Sequence, residues 1–210
     1  MNFTAKDVAA LREKTGCGMM DCKKALTASE GDMEKAIDFL REKGLAASVK
    51  KAGRIAAEGV AFATVSEDGK VGVVIEVNAE TDFVAKNDKF VAFVKEATKV
   101  IMKQNPADVE ALMACKTESG ETVDEALKNL ILVIKENIKV RRFAFFTEGV
   151  SVPYNHAGGK IGVLVNLDTD LAAEKVEEVG KDVAMQIAAL NPRFWDKSQV
   201  TQDVLDEEKK

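Results

Sequence analysis

The chain has few of the residues from which catalytic and metal sites are commonly built. Its 210 residues include one histidine, three cysteines and three prolines. The three cysteines, at positions 17, 22 and 115, are odd in number, and no two of them have the C-x-x-C spacing. This argues against both a disulfide framework and a zinc site. No apolar run approaches the roughly 18 residues of a membrane span, and the first residues show no signal-peptide pattern. We therefore expect a cytoplasmic protein with reduced thiols and no membrane contact.

The acidic balance of the sequence limits the kinds of partner. The formal net charge is −5 at pH 7, whereas binding to nucleic-acid phosphates or anionic membranes needs a clustered basic surface. The basic residues Lys50, Lys51 and Arg54 lie in a stretch of small residues without an aromatic platform for stacking on bases. We therefore expect a protein partner rather than a nucleic acid.

Residues 1–45 carry three short helical patterns, which predict a compact three-helix domain. Thr4 and Asp7 form a capping signal, and Gly44 is a typical residue at a helix end. The arrangement resembles ubiquitin-associated-type modules. Met19 and Met20 follow the glycine turn between the first two helices, where flexible methionines suit an adaptable binding surface. Alternatively both fill the core, and we expect one inside and one outside. Residues 46–59 read as a linker running into a short helix.

The remaining chain predicts an α+β core made of two related units. Strands at 60–65 and 71–77, joined by a turn at Asp68-Gly69, precede a helix that begins at Asn87 or Asp88 and ends before Asn105-Pro106. A capping box at 122–125 then opens a long helix. Strands at 140–146 and 160–171, a turn at 154–159 and a helix ending before Asn191-Pro192 repeat the pattern, which indicates an internal duplication. The expected divisions are 60–139, 140–195 and a tail at 196–210.

Thr81, Asp82 and Phe83 lie between a buried strand and an amphipathic helix, in a predicted loop. A large aromatic side chain is normally buried. Two interpretations stay open. Either Phe83 packs under its own helix while Asp82 caps a turn, or Phe83 projects as a probe for a partner.

No catalytic or cofactor site is evident. Glu80, Asp82 and Asp88 would suit a divalent-metal site, but carboxylates are expected at a helix start in any case. His156, the single histidine, has no serine or cysteine partner that the sequence identifies. A metal-dependent hydrolase that uses Asp82 and Asp88 therefore remains only an alternative hypothesis.

Two long stretches, Leu11–Leu26 and Thr81–Lys86, resemble bacterial translation elongation factor Ts, in the order found in that family. The resemblance implies a guanine-nucleotide exchange factor for elongation factor Tu, without chemical catalysis and without a cofactor or metal of its own. The resemblance also implies a short form of the family, without the coiled-coil protrusion of longer members. Short members are associated with self-association, so a homodimer stays open.

The resemblance also implies which residues contact elongation factor Tu. It assigns the wedge that disturbs the Mg²⁺ and phosphate site of Tu to Thr81, Asp82, Phe83 and Val84. It assigns further contacts to the following residues: Arg12, Met19, Met20, Lys23 and His156. The alternative hypothesis is a non-enzymatic adaptor that binds through the three-helix domain and does not depend on Phe83.

Overall fold

The chain begins with three helices that share a small apolar core. The computed structural model describes residues 3–67 and 69–209. The helices are α1 (Ala5–Thr15), α2 (Met19–Ala28) and α3 (Met33–Lys51). Leu11, Cys22 and Leu26 are fully buried among them. The carboxylate of Asp7 accepts a hydrogen bond from the Thr4 amide at 2.7 Å, as the capping signal predicted.

The helix end predicted at Gly44 is wrong, because α3 continues to Lys51. Gly44 is buried, and a Cβ atom there would lie only 3.3 Å from the carbonyl oxygen of Lys128 on a neighbouring helix. The glycine thus permits close helix packing rather than ending the helix. Of the predicted linker, residues 46–51 are helical and residues 52–57 lack regular structure.

The first sheet has three antiparallel strands in the order β1-β2-β3. The strands are β1 (Glu58–Val65), β2 (Gly72–Ala79) and β3 (Lys139–Phe146). The predicted hairpin is therefore confirmed, although Asp68 of its turn lies outside the described residues. Val73, Ile75 and Val77 of β2 point into the main core, where they meet Phe90. Phe90 belongs to α5 (Asp88–Gln104), which Asn87 caps by accepting from the Lys89 amide.

The strand predicted at 140–146 exists, but it pairs with β2 and extends the first sheet. The second hairpin consists instead of β4 (Val150–His156) and β5 (Ile161–Leu167). Tyr154–His156, predicted as a turn, is the end of β4. Gly149, with a φ of +69°, lies between β3 and β4 and lets the chain turn from one sheet to the other.

Short and long helices complete the α+β fold that the sequence predicted. They are α4 (Asp82–Ala85), α6 (Val109–Ala114), α7 (Val123–Ile134), α8 (Ala173–Leu190) and α9 (Gln202–Glu208). The predicted helix ends at Asn105 and Asn191 are confirmed, because both residues adopt the left-handed conformation typical of a helix C-terminus. Part of the predicted tail is ordered as α9.

The apolar stripe of α8 coincides only partly with its buried side, because Val176 and Ile187 are partly buried. Val179, Val183 and Leu190 are exposed, whereas Gly180 and Ala184 are buried. A Cβ atom on Gly180 would lie 2.5 Å from the Val152 side chain, so the helix packs against the β4–β5 hairpin through its small residues. Hydrophobicity alone does not identify this buried side, because close packing here needs small residues.

Candidate partner-binding surface

The segment that follows β2 divides its side chains between the core and the solvent. Asp82 and Phe83 lie in one turn of helix, α4, rather than in the predicted loop, and Thr81 precedes it as the N-cap residue. The Phe83 side chain is 82% exposed, whereas Val84 is 5% exposed and belongs to the main core. The interpretation in which Phe83 packs under its own helix is therefore wrong. Val84 anchors the turn in the core, and its contact with a partner stays a prediction.

Hydrogen bonds hold this turn at both ends. The carboxylate of Glu136 accepts from the Thr81 amide at 3.0 Å and from the Thr81 hydroxyl at 2.7 Å. At the other end, the Asn87 amide donates to the Val84 carbonyl at 2.9 Å. Phe83 is consequently a solvent-exposed aromatic side chain on a fixed backbone.

A groove of about 500 Å³ lies beside Phe83. Its lining includes Asn87 and Lys89 at the start of α5, Ile134 at the end of α7, and Glu136 just after α7. An apolar side chain projecting next to a groove with polar edges can both insert into a partner and receive one of its side chains.

The three-helix domain adds a second exposed apolar patch. Met19 is 46% exposed and Met20 is 62% exposed, so the expectation that one points inward is wrong. Arg12 and Lys23 are also exposed. The glycine turn beside the methionines lies next to α5, because the carbonyl of Gly16 accepts from Lys89 Nζ at 3.5 Å. Lys89 also lines the groove beside Phe83, so one lysine side chain links this groove to the glycine turn that precedes Met19.

His156 lies at the end of β4 and is exposed. Its Nδ1 atom lies 2.9 Å from the hydroxyl of Tyr154. The turn that follows His156 is tied to β1, because the Ala61 amide donates to the Gly159 carbonyl at 2.7 Å. The Asn155 side chain also bonds to the backbone of Ala63 on β1. His156 therefore lies beside the middle of β1, whereas α4 follows the end of β2 that pairs with the start of β1.

Pattern reasoning missed the charged residues that join the three-helix domain to the core. Asp21 on α2 forms ion pairs with Lys43 at 2.5 Å and with Lys135 at 3.2 Å. The Asp21 side chain is 16% exposed. Nothing in the sequence distinguishes Asp21, Lys135 or Glu136 from ordinary solvated charges, because their partners are remote along the chain.

The ion pairs of Asp21 predict a pH-dependent stability. The hydrogen bond from Lys43 holds the pKa of the Asp21 carboxyl below its usual range, despite partial burial. A lowered folded-state pKa adds stability that is fully present above about pH 4 and is lost as pH falls through the folded-state pKa. We expect Asp21→Asn to cost roughly 1 kcal/mol at pH 7. Urea unfolding from pH 7 to pH 3 checks this, since the difference from the parent chain shrinks below about pH 4. A difference that does not change with pH contradicts the prediction.

The described residues offer little for an enzymatic interpretation. Within 3–67 and 69–209, no group of three or more His, Cys, Asp or Glu side chains is placed to hold a metal ion. Over the same part of the chain, none of the helices has the length and apolar character that a bilayer crossing requires. Cys17 and Cys22 are buried, and burial raises the pKa of the Cys22 thiol, which makes it a poor nucleophile at neutral pH.

Comparison with known proteins decides the family. A family model described as elongation factor TS matches residues 80–210, a range that includes α4 and everything after it. The chain belongs to the elongation factor Ts family. Relatives named elongation factor Ts extend the similarity to the three-helix domain. That of Clostridium botulinum (strain Eklund 17B / Type B) is 51% identical over 209 residues, which cover 99% of this chain and 69% of the relative.

Further members of the elongation factor Ts family show a similar identity to this chain. The protein of Clostridioides difficile (strain 630) is 50% identical over 200 residues, covering 95% of this chain and 66% of the relative. The protein of Trichlorobacter lovleyi is 49% identical over 217 residues, which cover 100% of this chain and 70% of the relative. The resemblance of Leu11–Leu26 and Thr81–Lys86 to this family is therefore confirmed, and the chain is a member of a family of translation elongation factors.

Proposed function

We propose that this protein is the guanine-nucleotide exchange factor that binds elongation factor Tu in its GDP form and promotes the release of GDP. Its membership of the elongation factor Ts family supports this proposal. It acts by binding and catalyses no chemical step. This action requires no nucleotide, metal or cofactor bound to this chain.

The observation that carries the proposal is the exposure of Phe83 on a fixed turn. Its side chain is 82% exposed, although burying such a side chain is worth roughly 1.5–3 kcal/mol. Val84 in the core and Glu136 at Thr81 hold the backbone beneath it. An apolar group kept in water on a rigid support is suited to release this free energy only when a partner covers it.

The free energy of covering Phe83 promotes exchange if Phe83 is covered only in the complex in which GDP is loosely held. Binding of the factor and binding of GDP are reciprocally coupled, so whatever weakens GDP in the complex weakens factor binding to the GDP form by the same factor. We infer that Asp82 and Phe83 enter the nucleotide-binding domain of Tu and shift the groups that hold Mg²⁺ and phosphate. Because Mg²⁺ bridges the phosphates in such GTPases, loosening it removes much of the electrostatic hold on GDP.

The remaining contact residues give the complex its orientation. Met19 and Met20 form an adaptable apolar patch near the groove beside Phe83, and Arg12 and Lys23 add positive charge to the same helices. His156, which is exposed at the end of β4, contacts Tu from the second hairpin. Contact from several elements holds Phe83 in register with the nucleotide domain.

Release of fluorescent GDP from purified elongation factor Tu tests the proposal. We expect the protein to accelerate release when excess unlabelled GDP prevents rebinding. The acceleration shrinks when Mg²⁺ is chelated beforehand, because little Mg²⁺ is then left to displace. No acceleration at saturating protein overturns the exchange function. Acceleration that is independent of Mg²⁺ overturns the Mg²⁺ mechanism alone.

The adaptor hypothesis gives a different result in the same assay. An adaptor that uses only the three-helix domain binds through Met19 and Met20 without speeding GDP release. Formation of a homodimer and the absence of nucleic-acid binding stay predictions.

A further inference from the structure

Three consecutive residues after α7 connect the elements proposed to bind the partner. We call Lys135, Glu136 and Asn137 the connector segment. Lys135 ends α7 in the left-handed conformation, with a φ of +68°. This sharp change of backbone direction lets the next side chains contact different parts of the molecule. Asn137 is buried, which fixes the segment against the core.

Each residue of the connector segment bonds to a different element. Lys135 Nζ lies 3.2 Å from the Asp21 carboxylate in the three-helix domain. The Asn137 amide donates to Glu80 at 2.6 Å, and its side-chain amide donates to the Arg54 carbonyl at 2.7 Å. Between them, Glu136 bonds to Thr81. The segment therefore links α2, the residues before β1 and the N-terminus of α4.

The bonds of Glu136 are directed at the backbone that carries Phe83. One carboxylate oxygen accepts from the Thr81 amide and the other from the Thr81 hydroxyl. The Thr81 hydroxyl donates to Glu136 and makes no capping bond to α4. The orientation of α4 at this end thus depends on a residue remote in the sequence.

We propose that Glu136 is a positioning residue for Phe83, because its carboxylate fixes the backbone of Thr81 and so sets the direction in which the neighbouring aromatic side chain projects. The inference rests on the proposed function, in which Phe83 contacts elongation factor Tu. Glu136 itself need not touch the partner. Loss of its carboxylate leaves Phe83 exposed but lets α4 move.

The chain supplies a matched control for this role. Like Glu136 at Thr81, Glu125 accepts from the amide and the hydroxyl of a threonine, Thr122, at 2.7 and 3.0 Å, although through a single carboxylate oxygen. Glu125 is the third residue of α7, and the ten residues from Glu125 to Lys135 correspond to about 15 Å along the helix. Glu136→Ala and Glu125→Ala therefore remove similar bonds, but only Glu136→Ala affects α4.

The first test measures GDP release from elongation factor Tu with the full chain. We expect Glu136→Ala to lower the acceleration about fivefold or more, and Glu125→Ala to change it by less than about twofold. Glu136→Gln retains one acceptor oxygen, so its effect falls between the parent and Glu136→Ala. In a Phe83→Ala background, Glu136→Ala has little further effect, because it acts through Phe83. Equal losses of acceleration for Glu136→Ala and Glu125→Ala overturn the proposal. It is also overturned if Glu136→Ala lowers the acceleration as much in the Phe83→Ala background as in the parent chain.

The second test does not depend on exchange activity. The chain has a single tryptophan, Trp195, so Trp195→Phe combined with Phe83→Trp gives one fluorescent reporter at position 83. We expect Glu136→Ala to increase the rapid local motion of this indole in time-resolved anisotropy, and Glu125→Ala to leave it unchanged. Unchanged motion in Glu136→Ala overturns the positioning role. If the motion increases while the parent chain does not accelerate GDP release, the proposed function fails and the positioning role stands.

Discussion

The Phe83→Ala variant is expected to lose most of its ability to accelerate GDP release while it keeps the stability of the parent chain. The side chain is 82% exposed, so its removal takes little apolar area out of the folded protein. Covering it in a complex is worth roughly 1.5–3 kcal/mol. If this free energy is realised only when GDP is loosened, its loss corresponds to a decrease of roughly ten- to a hundredfold in the rate of release at limiting factor.

Trp195→Ala is the matched control for that experiment. Trp195 is 84% exposed and also aromatic, but it lies beyond the end of α8 and outside the lining of the groove beside Phe83. We expect thermal unfolding of both variants to follow the parent chain closely. Equal losses of exchange in the two variants mean that general surface hydrophobicity, and not a wedge at Phe83, drives the effect. Full activity of Phe83→Ala contradicts the wedge mechanism.

Local signals in the sequence predicted much of the fold. The caps at Thr4, Asn87 and Thr122 and the helix ends at Asn105 and Asn191 all depend on residues within one helical turn. Such signals act over short distances, so a sequence pattern contains both partners of each interaction. The same holds for the hairpin of β1 and β2, whose strands are joined by a short turn.

Features that depend on remote partners were not predictable in this way. A pattern of alternating residues indicates that 140–146 is a strand, but the choice between β2 and the second hairpin depends on contacts more than 60 residues apart along the chain. The role of Gly44 was predicted wrongly for a related reason, because this glycine admits another helix at close range, as Gly180 admits a strand. Glycine at a helix end and glycine at a helix contact look alike in a single sequence.

In the candidate site too, some residues were predictable from the sequence, and those that depend on remote partners were not. Its exposed residues Phe83, Met19 and Met20 were identified from the resemblance to the family, and their exposure is consistent with contact residues. The supports beneath them were not identified. Glu136 and Lys135 follow a helix end, where charged residues are common on any soluble protein, and only the fold brings them to Thr81 and Asp21.

Gly59→Ala is expected to destabilise the fold more than any exposed substitution proposed above. Gly59 has a φ of +128°, and a Cβ atom there would lie 2.1 Å from the carbonyl oxygen of Val77 and 2.8 Å from the Cα atom of Asn78. Both obstacles are backbone of the paired strand, so relief requires β1 to separate from the end of β2 that leads into α4. We expect a loss of roughly 2–6 kcal/mol, combining backbone strain with steric overlap. For a chain of this size, the melting temperature falls by about 5–20 °C.

Two further glycines separate the steric part of this effect from the conformational part. Gly69 also has a positive φ, +70°, but a Cβ atom there meets nothing within 4 Å, so Gly69→Ala should cost about 1 kcal/mol from strain alone. Gly53 has neither a positive φ nor a close neighbour, and Gly53→Ala should be neutral or slightly stabilising because it restricts the unfolded chain. Thermal and urea unfolding of the three variants measure the order directly. A loss in Gly59→Ala no larger than that in Gly69→Ala would show that β1 and β2 separate easily here, and that the start of α4 is held chiefly by the connector segment.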